Sequence, residues 1–171
     1  MTTTTAADLD EETIARYRRD GFVRVRQVLT PDEVAEYHAA AVAAASRLNS
    51  RRSDGIFSQI VNVWRDDEAM RRLTLNPRIA ALAERLAGVP LKLWHDQILI
   101  KEPHNARATH FHQDQPYWPH AGSTHPISAW IALCDVPVER GCMSFLPGSH
   151  ARTDLPAQNL GDGRSLFALA P

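Results

Sequence analysis

The sequence predicts an α+β fold in which helices come first and short strands follow. Helix signals and apolar residues at helical spacing fill residues 9–88, whereas residues 91–146 contain short apolar or alternating runs separated by turns. This order favours an antiparallel β-core, and a jelly roll fits because its interior can hold a small ligand or a metal. We expect one domain over residues 1–171, helical to about residue 88 and β-rich from about residue 89.

The four predicted helices begin or end at recognisable signals. Thr30-Pro31-Asp32-Glu33 is a capping box with proline at the first helical position, and an alanine-rich helix follows it to about Leu48. Asn76-Pro77 caps another helix, which Gly88 closes. The helices are expected over residues 9–19, 31–48, 66–75 and 77–88.

Strands are predicted from apolar runs and from alternation with a period of two. Within residues 91–101 the alternation places Gln97 on the same face as Leu93 and Leu99, so a polar amide is expected to point toward the core. A buried amide needs a partner, which is either another protein group or a bound acid. Residues 51–55 are expected to form a polar loop. The strands are expected over residues 22–26, 56–64, 91–101, 110–113, 127–136 and 142–146.

Composition and charge argue against several classes of partner. The chain has 19 basic and 20 acidic residues and a net charge of -1, which gives no footprint for nucleic acid or an acidic membrane. No stretch is apolar enough to span a bilayer, and the threonine-rich start lacks a secretion signal, so we expect a cytoplasmic protein. Cys134 and Cys142 match neither a disulfide framework nor a zinc knuckle, and we expect them to be small apolar fillers.

The run His112-Gln113-Asp114 is the most informative stretch for function. An imidazole and a carboxylate two residues apart on an extended strand point to the same face. They supply two of the three ligands of a facial non-haem iron site, which keeps positions open for a cosubstrate and dioxygen. As a bare pattern, His-x-Asp is weak, so its neighbourhood decides the interpretation.

Five segments in order along the chain strengthen the metal interpretation. They are residues 93–103 (LWHDQILIKEP), 112–119 (HQDQPYWP), 129–133 (AWIAL), 135–143 (DVPVERGCM) and 147–150 (PGSH). Together these segments resemble the phytanoyl-CoA dioxygenase family, whose members are Fe(II)- and 2-oxoglutarate-dependent oxygenases with a double-stranded β-helix (jelly-roll) core. The resemblance runs from Leu9 to His150 and implies N-terminal helices packed on such a core.

The resemblance also implies roles for residues that match its motifs. His112 and Asp114 look like the first two iron ligands, and Gln97 and Trp130 match positions that contact 2-oxoglutarate. Gln113 lies inside the metal motif and is grouped with the cofactor-binding residues. Looser candidates to face the cavity are Gln59, Asn62 and Lys101.

The aromatic residues near these motifs have two interpretations each. Trp130 lies in an apolar run, where core packing alone is sufficient to explain it. Tyr117 and Trp118 follow the metal motif, and they either roof a substrate site or cover the mouth of the barrel.

The chain departs from the family pattern in its C-terminal part. The family's second metal histidine and the arginine that binds the far carboxylate of 2-oxoglutarate lie well beyond the Pro-Gly-Ser-His turn. Only 57 residues follow Asp114, too few to complete an eight-stranded double sheet. Arg152 and Arg164 lie in no recognisable strand, so we expect a chain truncated before the family's C-terminal strands, with an incomplete jelly roll. His150 and His110 are the remaining candidates for a third ligand.

Three functions follow from these observations. The first is an Fe(II)- and 2-oxoglutarate-dependent dioxygenase that hydroxylates a small organic substrate and is inactive if this fragment cannot complete its site. The second is a non-catalytic relic or interaction module on the same scaffold. The third is a cupin-like metal hydrolase or isomerase that uses His110, His112 and Asp114. The sequence identifies neither the substrate nor the oligomeric state.

Overall fold

Four helices and a small antiparallel sheet form the described part of the chain, in agreement with the predicted α+β class. The computed structural model describes residues 2–47, 51–53, 57–101, 104, 109–118, 123 and 125–154. None of the described helices is long and apolar enough to cross a lipid bilayer. The elements are α1 (Glu11–Asp20), α2 (Pro31–Arg47), β1 (Arg51–Ser53), β2 (Phe57–Val61), α3 (Glu68–Thr74), α4 (Pro77–Ala87) and β3 (Gln97–Ile100).

The predicted helix caps are confirmed by their hydrogen bonds. At the start of α2, the Thr30 hydroxyl accepts from the Glu33 amide at 3.2 Å, and the Glu33 carboxylate accepts from the Thr30 amide at 2.8 Å. The Asn76 side chain accepts from the Arg78 amide at 2.9 Å and starts α4. Gly88 ends α4 in the left-handed conformation, at a φ of 75°. These local contacts fix where α2 and α4 begin and where α4 ends.

The cap of α3 provides a test of helix stability. Asp67 accepts from the amides of Ala69 and Met70, both at 3.1 Å, and pairs with Arg47 of α2. Asp67→Ala is expected to lower the free energy of unfolding by about 1 kcal/mol because two amides lose their acceptor. Urea denaturation measures the change. Asp67→Asn keeps an acceptor oxygen and should retain most of the stability, and an equal loss in both variants would contradict a role for the cap.

Two buried clusters hold the helices in place. One joins α2, α3 and the sheet, and Met70 at 2% exposure and Val63 at 1% lie at its centre. The other joins α1 to α4. Burial of this apolar surface is the main stabilising contribution to the helical part. The first cluster contains Tyr37, Ala41, Ala44, Ile60, Val63, Met70 and Leu73, and the second contains Leu9, Ile14, Leu82 and Leu86.

The sheet has the order β1-β2-β3, and both pairs of strands are antiparallel. The predicted polar loop at residues 51–55 is wrong for residues 51–53, which form β1 and pair with β2. The polar composition of residues 51–53 gave no indication of a strand, although these residues pair with β2. Residues 54–56 lie outside the described part. Strand β2 comes before α3, so the sheet combines strands from both predicted parts of the chain.

Several predicted strands do not form ladders in the described structure. Residues 22–26, 110–113, 127–136 and 142–146 are irregular, and the expected strand over residues 91–101 is confined to β3. In residues 127–136, alternate side chains still face the core although no strand forms, since Ile131 and Leu133 pack against the first cluster. A strand requires a hydrogen-bonded neighbour, and sequence alternation alone does not supply one.

Candidate metal centre

The side chains of His112 and Asp114 meet, as the sequence predicted. His112 Nε2 lies 3.2 Å from Asp114 Oδ1. The prediction that an extended strand brings the two side chains to one face was wrong. Residues 110–114 are irregular, and Asp114 has helical backbone angles, φ -74° and ψ -37°. Asp114 starts a 3-10 turn over Gln115–Tyr117, and its carbonyl accepts from the Tyr117 amide at 2.9 Å. The bend at Asp114, and not β alternation, brings the carboxylate to the imidazole.

The orientation of the His112 ring is fixed by its other nitrogen. Nδ1 lies 2.7 Å from the carbonyl oxygen of His110. Because a carbonyl oxygen only accepts, Nδ1 carries the proton of this hydrogen bond. Nε2 is therefore the nitrogen presented beside Asp114. Metal-binding histidines in proteins are oriented by the same kind of contact, in which the second nitrogen donates to a carbonyl or carboxylate.

The electrostatics of the pair favour a cation. The hydrogen bond that the Asp114 carboxylate accepts from the ring raises the pKa of the His112 imidazole, partial burial opposes that rise, and the His110 carbonyl adds to it. The His112 side chain is 22% exposed and that of Asp114 is 55% exposed, so the pair is open to solvent on the carboxylate side. A metal ion held by His112 Nε2 and Asp114 would take the place of the proton that the carboxylate stabilises.

The donor set fits a divalent metal ion. The two donor atoms are 3.2 Å apart, a separation that would allow both to bind one octahedral divalent ion at adjacent positions. An imidazole and a carboxylate suit iron in this geometry. Within the described residues, no third histidine, cysteine or acid joins them. His110 contributes its carbonyl to the His112 ring, and His150 contacts the end of α1.

Gln97 lies on the exposed face of β3, so its predicted direction toward the core is wrong. Ile98 and Ile100 occupy the other face, and Ile98 packs on the first cluster. Alternation identifies two faces, and the face of Ile98 packs against the first cluster. Leu99, 44% exposed, shares the outer face with Gln97. The contact of Gln97 with 2-oxoglutarate stays a prediction.

Trp130 is 46% exposed, which argues against core packing as its role in the described structure. Its neighbour Ile131 packs on the first cluster instead. Among the described residues, no hydrogen bond is recorded between the metal pair and either Gln97 or Trp130. The contact of Trp130 with 2-oxoglutarate therefore also stays a prediction.

The looser cavity candidates have diverse surroundings. Gln59 pairs with Leu99 in the β2–β3 register, on the exposed face of the sheet. Asn62 has a left-handed backbone with φ 64°, and its buried side-chain oxygen has no hydrogen-bond partner among the described residues. The Lys101 side chain covers Gly141, where an added Cβ would lie 2.9 Å from Cδ. Gln59 therefore shares the outer sheet face with Gln97, whereas Lys101 is directed to the Gly141 turn.

The Gln113 amide has partners that sequence reasoning missed. Its Nε2 donates to the carbonyl oxygens of Ser149 at 2.9 Å and Arg152 at 2.8 Å. The Pro-Gly-Ser-His motif, which contains Ser149, was the available signal. Its sequence does not show which distant side chain contacts it. The Arg152 side chain forms an ion pair with Asp154, and Arg164 lies outside the described residues.

Two ring contacts involve the aromatic residues that follow the pair in sequence. The ring of Tyr117 lies 6.3 Å from that of His112, edge to face, and Tyr117 is 40% exposed. Trp118 packs edge to face on Trp94 at 5.6 Å, and Trp94 is 42% exposed. Trp94 was not among the predicted site residues. Both predicted roles of Tyr117 and Trp118, the roof of a substrate site and the cover of a barrel mouth, stay predictions.

The fold and the pair together define a candidate mononuclear metal site on an α+β scaffold. A family model described as phytanoyl-CoA dioxygenase matches residues 17–163. The chain belongs to the phytanoyl-CoA dioxygenase family, as its motifs indicated.

A curated relative and a solved structure are consistent with membership in this family. The chain is 24% identical to the peroxisomal phytanoyl-CoA dioxygenase of Mus musculus over 160 residues, which cover 82% of the chain and 47% of the mouse protein. It is similar to SnoK, a non-haem alpha-ketoglutarate-dependent carbocyclase from nogalamycin biosynthesis, with TM-score 0.83 and 35% identity, covering 93% of the chain and 65% of SnoK.

The epimerase SnoN provides a second structural comparison. Its structure in complex with Fe3+, alpha-ketoglutarate and nogalamycin RO matches with TM-score 0.74 and 41% identity, covering 86% of this chain and 60% of SnoN. The chain thus spans less than two thirds of each of these relatives.

Proposed function

We propose that this protein is a non-haem iron oxygenase that uses Fe(II), 2-oxoglutarate and dioxygen to oxidise a small organic substrate. The observation that carries the proposal is the contact between His112 Nε2 and Asp114 Oδ1, with the ring held through Nδ1. Family membership and the iron and alpha-ketoglutarate in SnoN support the choice of metal and cosubstrate.

Each proposed residue has a distinct task. His112 and Asp114 hold the metal, while Gln97 and Trp130 orient the cosubstrate. When bound, ferrous ion supplies the redox chemistry that couples dioxygen to the oxidation of 2-oxoglutarate to succinate and carbon dioxide. Tyr117, beside His112, helps to exclude water from the substrate side.

The proposed core is the jelly roll of the family within a single domain, of which this chain contains part. The exposed face of the sheet supports this proposal, because it carries Leu99 and Val61, 44% and 45% exposed, next to polar Gln97 and Gln59. A mixed apolar and amide surface suits the interior of a barrel that contains a small acid.

The proposed substrate is a small organic molecule with a ring system. Tyr117 lies beside His112, and Trp118, the next residue, packs on Trp94, so these rings offer flat apolar surface for stacking. SnoK, a carbocyclase, and SnoN, an epimerase, are both from nogalamycin biosynthesis, and the ring-closing activity of SnoK supports a substrate that contains or forms a ring. Hydroxylation of a substrate C–H bond is the proposed reaction, and epimerisation or ring closure at the same carbon atom is the alternative.

Calorimetry and product analysis test the function. Anaerobic titration with Mn(II), followed by 2-oxoglutarate, should give heat in both steps, and Fe(II) in air should give succinate. No heat from either ligand would favour the non-catalytic relic. Metal binding without succinate from 2-oxoglutarate would favour the cupin-like hydrolase or isomerase.

Trp130→Phe tests the cosubstrate assignment. The substitution removes the indole N–H but keeps an aromatic ring, so 2-oxoglutarate affinity at saturating Mn(II) should fall roughly 2- to 10-fold, the effect of one hydrogen bond. Mn(II) affinity should not change. Trp94→Phe, a matched change in another exposed tryptophan, should leave 2-oxoglutarate affinity as in the wild type. Equal affinities in Trp130→Phe and the wild type would remove Trp130 from the site.

A further inference from the structure

Gln113 uses both amide hydrogens on the protein's own backbone. Its Nε2 donates to Ser149 at 2.9 Å and to Arg152 at 2.8 Å. A side-chain amide nitrogen has two hydrogens, and these two acceptors use both of them. No N–H is left for a carboxylate of the cosubstrate, although the side chain lies between the two metal-binding residues in sequence.

The turn that receives these bonds, residues 147–152, is anchored on α1 at its other side. The Gly148 amide donates to the Asp20 carbonyl at 2.9 Å, and His150 Nε2 lies 3.2 Å from the Arg18 carbonyl. The His150 ring covers Gly21, where an added Cβ would lie 2.3 Å from Nδ1. Gly21 has φ 86°, so both its backbone and the ring above it require glycine.

The 147–152 turn therefore connects the end of α1 to residues 110–114, the segment that contains the proposed metal ligands. Phe22, just after α1, stacks on Phe145, just before the turn, with ring centroids 4.8 Å apart. Residues 110–114 form no strand pairing in the described structure, so side-chain contacts hold this segment in place. Gln113 is joined by peptide bonds to His112 and to Asp114, so its position affects both proposed ligands.

We propose that Gln113 is a positioning residue: by clamping the 147–152 turn, it sets the backbone from which His112 and Asp114 reach the metal. This inference rests on the proposed metal function. It assigns to Gln113 a structural partner in place of the cofactor contact expected from its motif. Contacts of this kind outside the metal ligands typically change metal affinity 10- to 100-fold.

Gln113→Met tests the proposal because methionine keeps the length of the side chain and loses both N–H donors. Mn(II) affinity, measured by calorimetry on the folded protein, should fall about 10- to 100-fold. The affinity for 2-oxoglutarate at saturating Mn(II) should equal that of the wild type. Gln115→Met changes the same residue type at an exposed position just beyond Asp114 and should leave both affinities unchanged.

Two results would overturn the proposal. Unchanged Mn(II) affinity with weaker 2-oxoglutarate binding would show that Gln113 contacts the cosubstrate. A lower free energy of unfolding with unchanged Mn(II) affinity would show a general structural role only. Urea denaturation of the same variant supplies that comparison, and hydrogen exchange at residues 149–152 should rise if the clamp is lost.

A double-substitution cycle tests whether the restraint passes through the turn. His150→Ala removes the ring that covers Gly21 and should weaken Mn(II) binding several-fold in the wild-type background. In the Gln113→Met background the same change should have little further effect, since the turn is already disconnected. Full additivity would overturn a shared path through the turn.

The same titrations separate this inference from the proposed function. Equal Mn(II) affinity in wild type and Gln113→Met, with loss in Asp114→Ala, would contradict the clamp and leave the metal site intact. Absence of Mn(II) binding in the wild type would overturn both proposals.

Discussion

Asp114→Ala is expected to weaken Mn(II) or Fe(II) binding more than about 100-fold, beyond the effect of losing a contact outside the ligand set. The carboxylate lies 3.2 Å from His112 Nε2 and contributes the negative charge of the pair. Its removal leaves a single neutral imidazole, which holds a hard divalent ion weakly. Succinate formation should disappear together with metal binding.

The control for this substitution is Asp135→Ala, which removes another exposed carboxylate in the described region. Its metal affinity and succinate yield should match the wild type. Equal metal affinity in Asp114→Ala and the wild type would remove Asp114 from the metal site. Denaturation curves of both variants should coincide with that of the wild type, because the Asp114 side chain is 55% exposed.

Met70→Ala is expected to have the largest effect on stability, a loss of about 3 kcal/mol. Met70 is 2% exposed and lies at the centre of the cluster that joins α2, α3 and the sheet. Shortening it removes apolar contact and leaves a cavity between packed helices, and both effects destabilise the fold. Urea denaturation with an unchanged slope gives the difference directly.

Val42→Ala is the matched control for Met70→Ala. Val42 lies on α2 but is 49% exposed, so its truncation should change the free energy of unfolding by less than about 0.5 kcal/mol. A similar loss in both variants would contradict the assignment of Met70 to a close-packed centre.

Local signals in the sequence were sufficient to predict the helices. The capping box of Thr30 and Glu33 and the left-handed Gly88 act within one turn of chain, so neighbouring residues determine them. Strands depend on partners distant in sequence. That is why β1 was missed and why residues 127–136, a strongly apolar run, were expected to be a strand.

The contact between the side chains of His112 and Asp114 was predicted, but the predicted backbone was wrong, and their role as metal ligands stays a prediction. Two ligand types two positions apart identified His112 and Asp114, although the bend at Asp114 brings them together. The partners of Gln113 are backbone carbonyls 36 and 39 residues away, which have no signature in amino-acid type. Such a contact is visible only in three dimensions.

Diffraction at the iron absorption edge, from crystals grown with Fe(II) without oxygen, tests the metal assignment most directly. One anomalous peak is expected about 2.1 Å from both His112 Nε2 and an Asp114 carboxylate oxygen. A peak elsewhere, or both side chains directed into solvent with no peak between them, would contradict it.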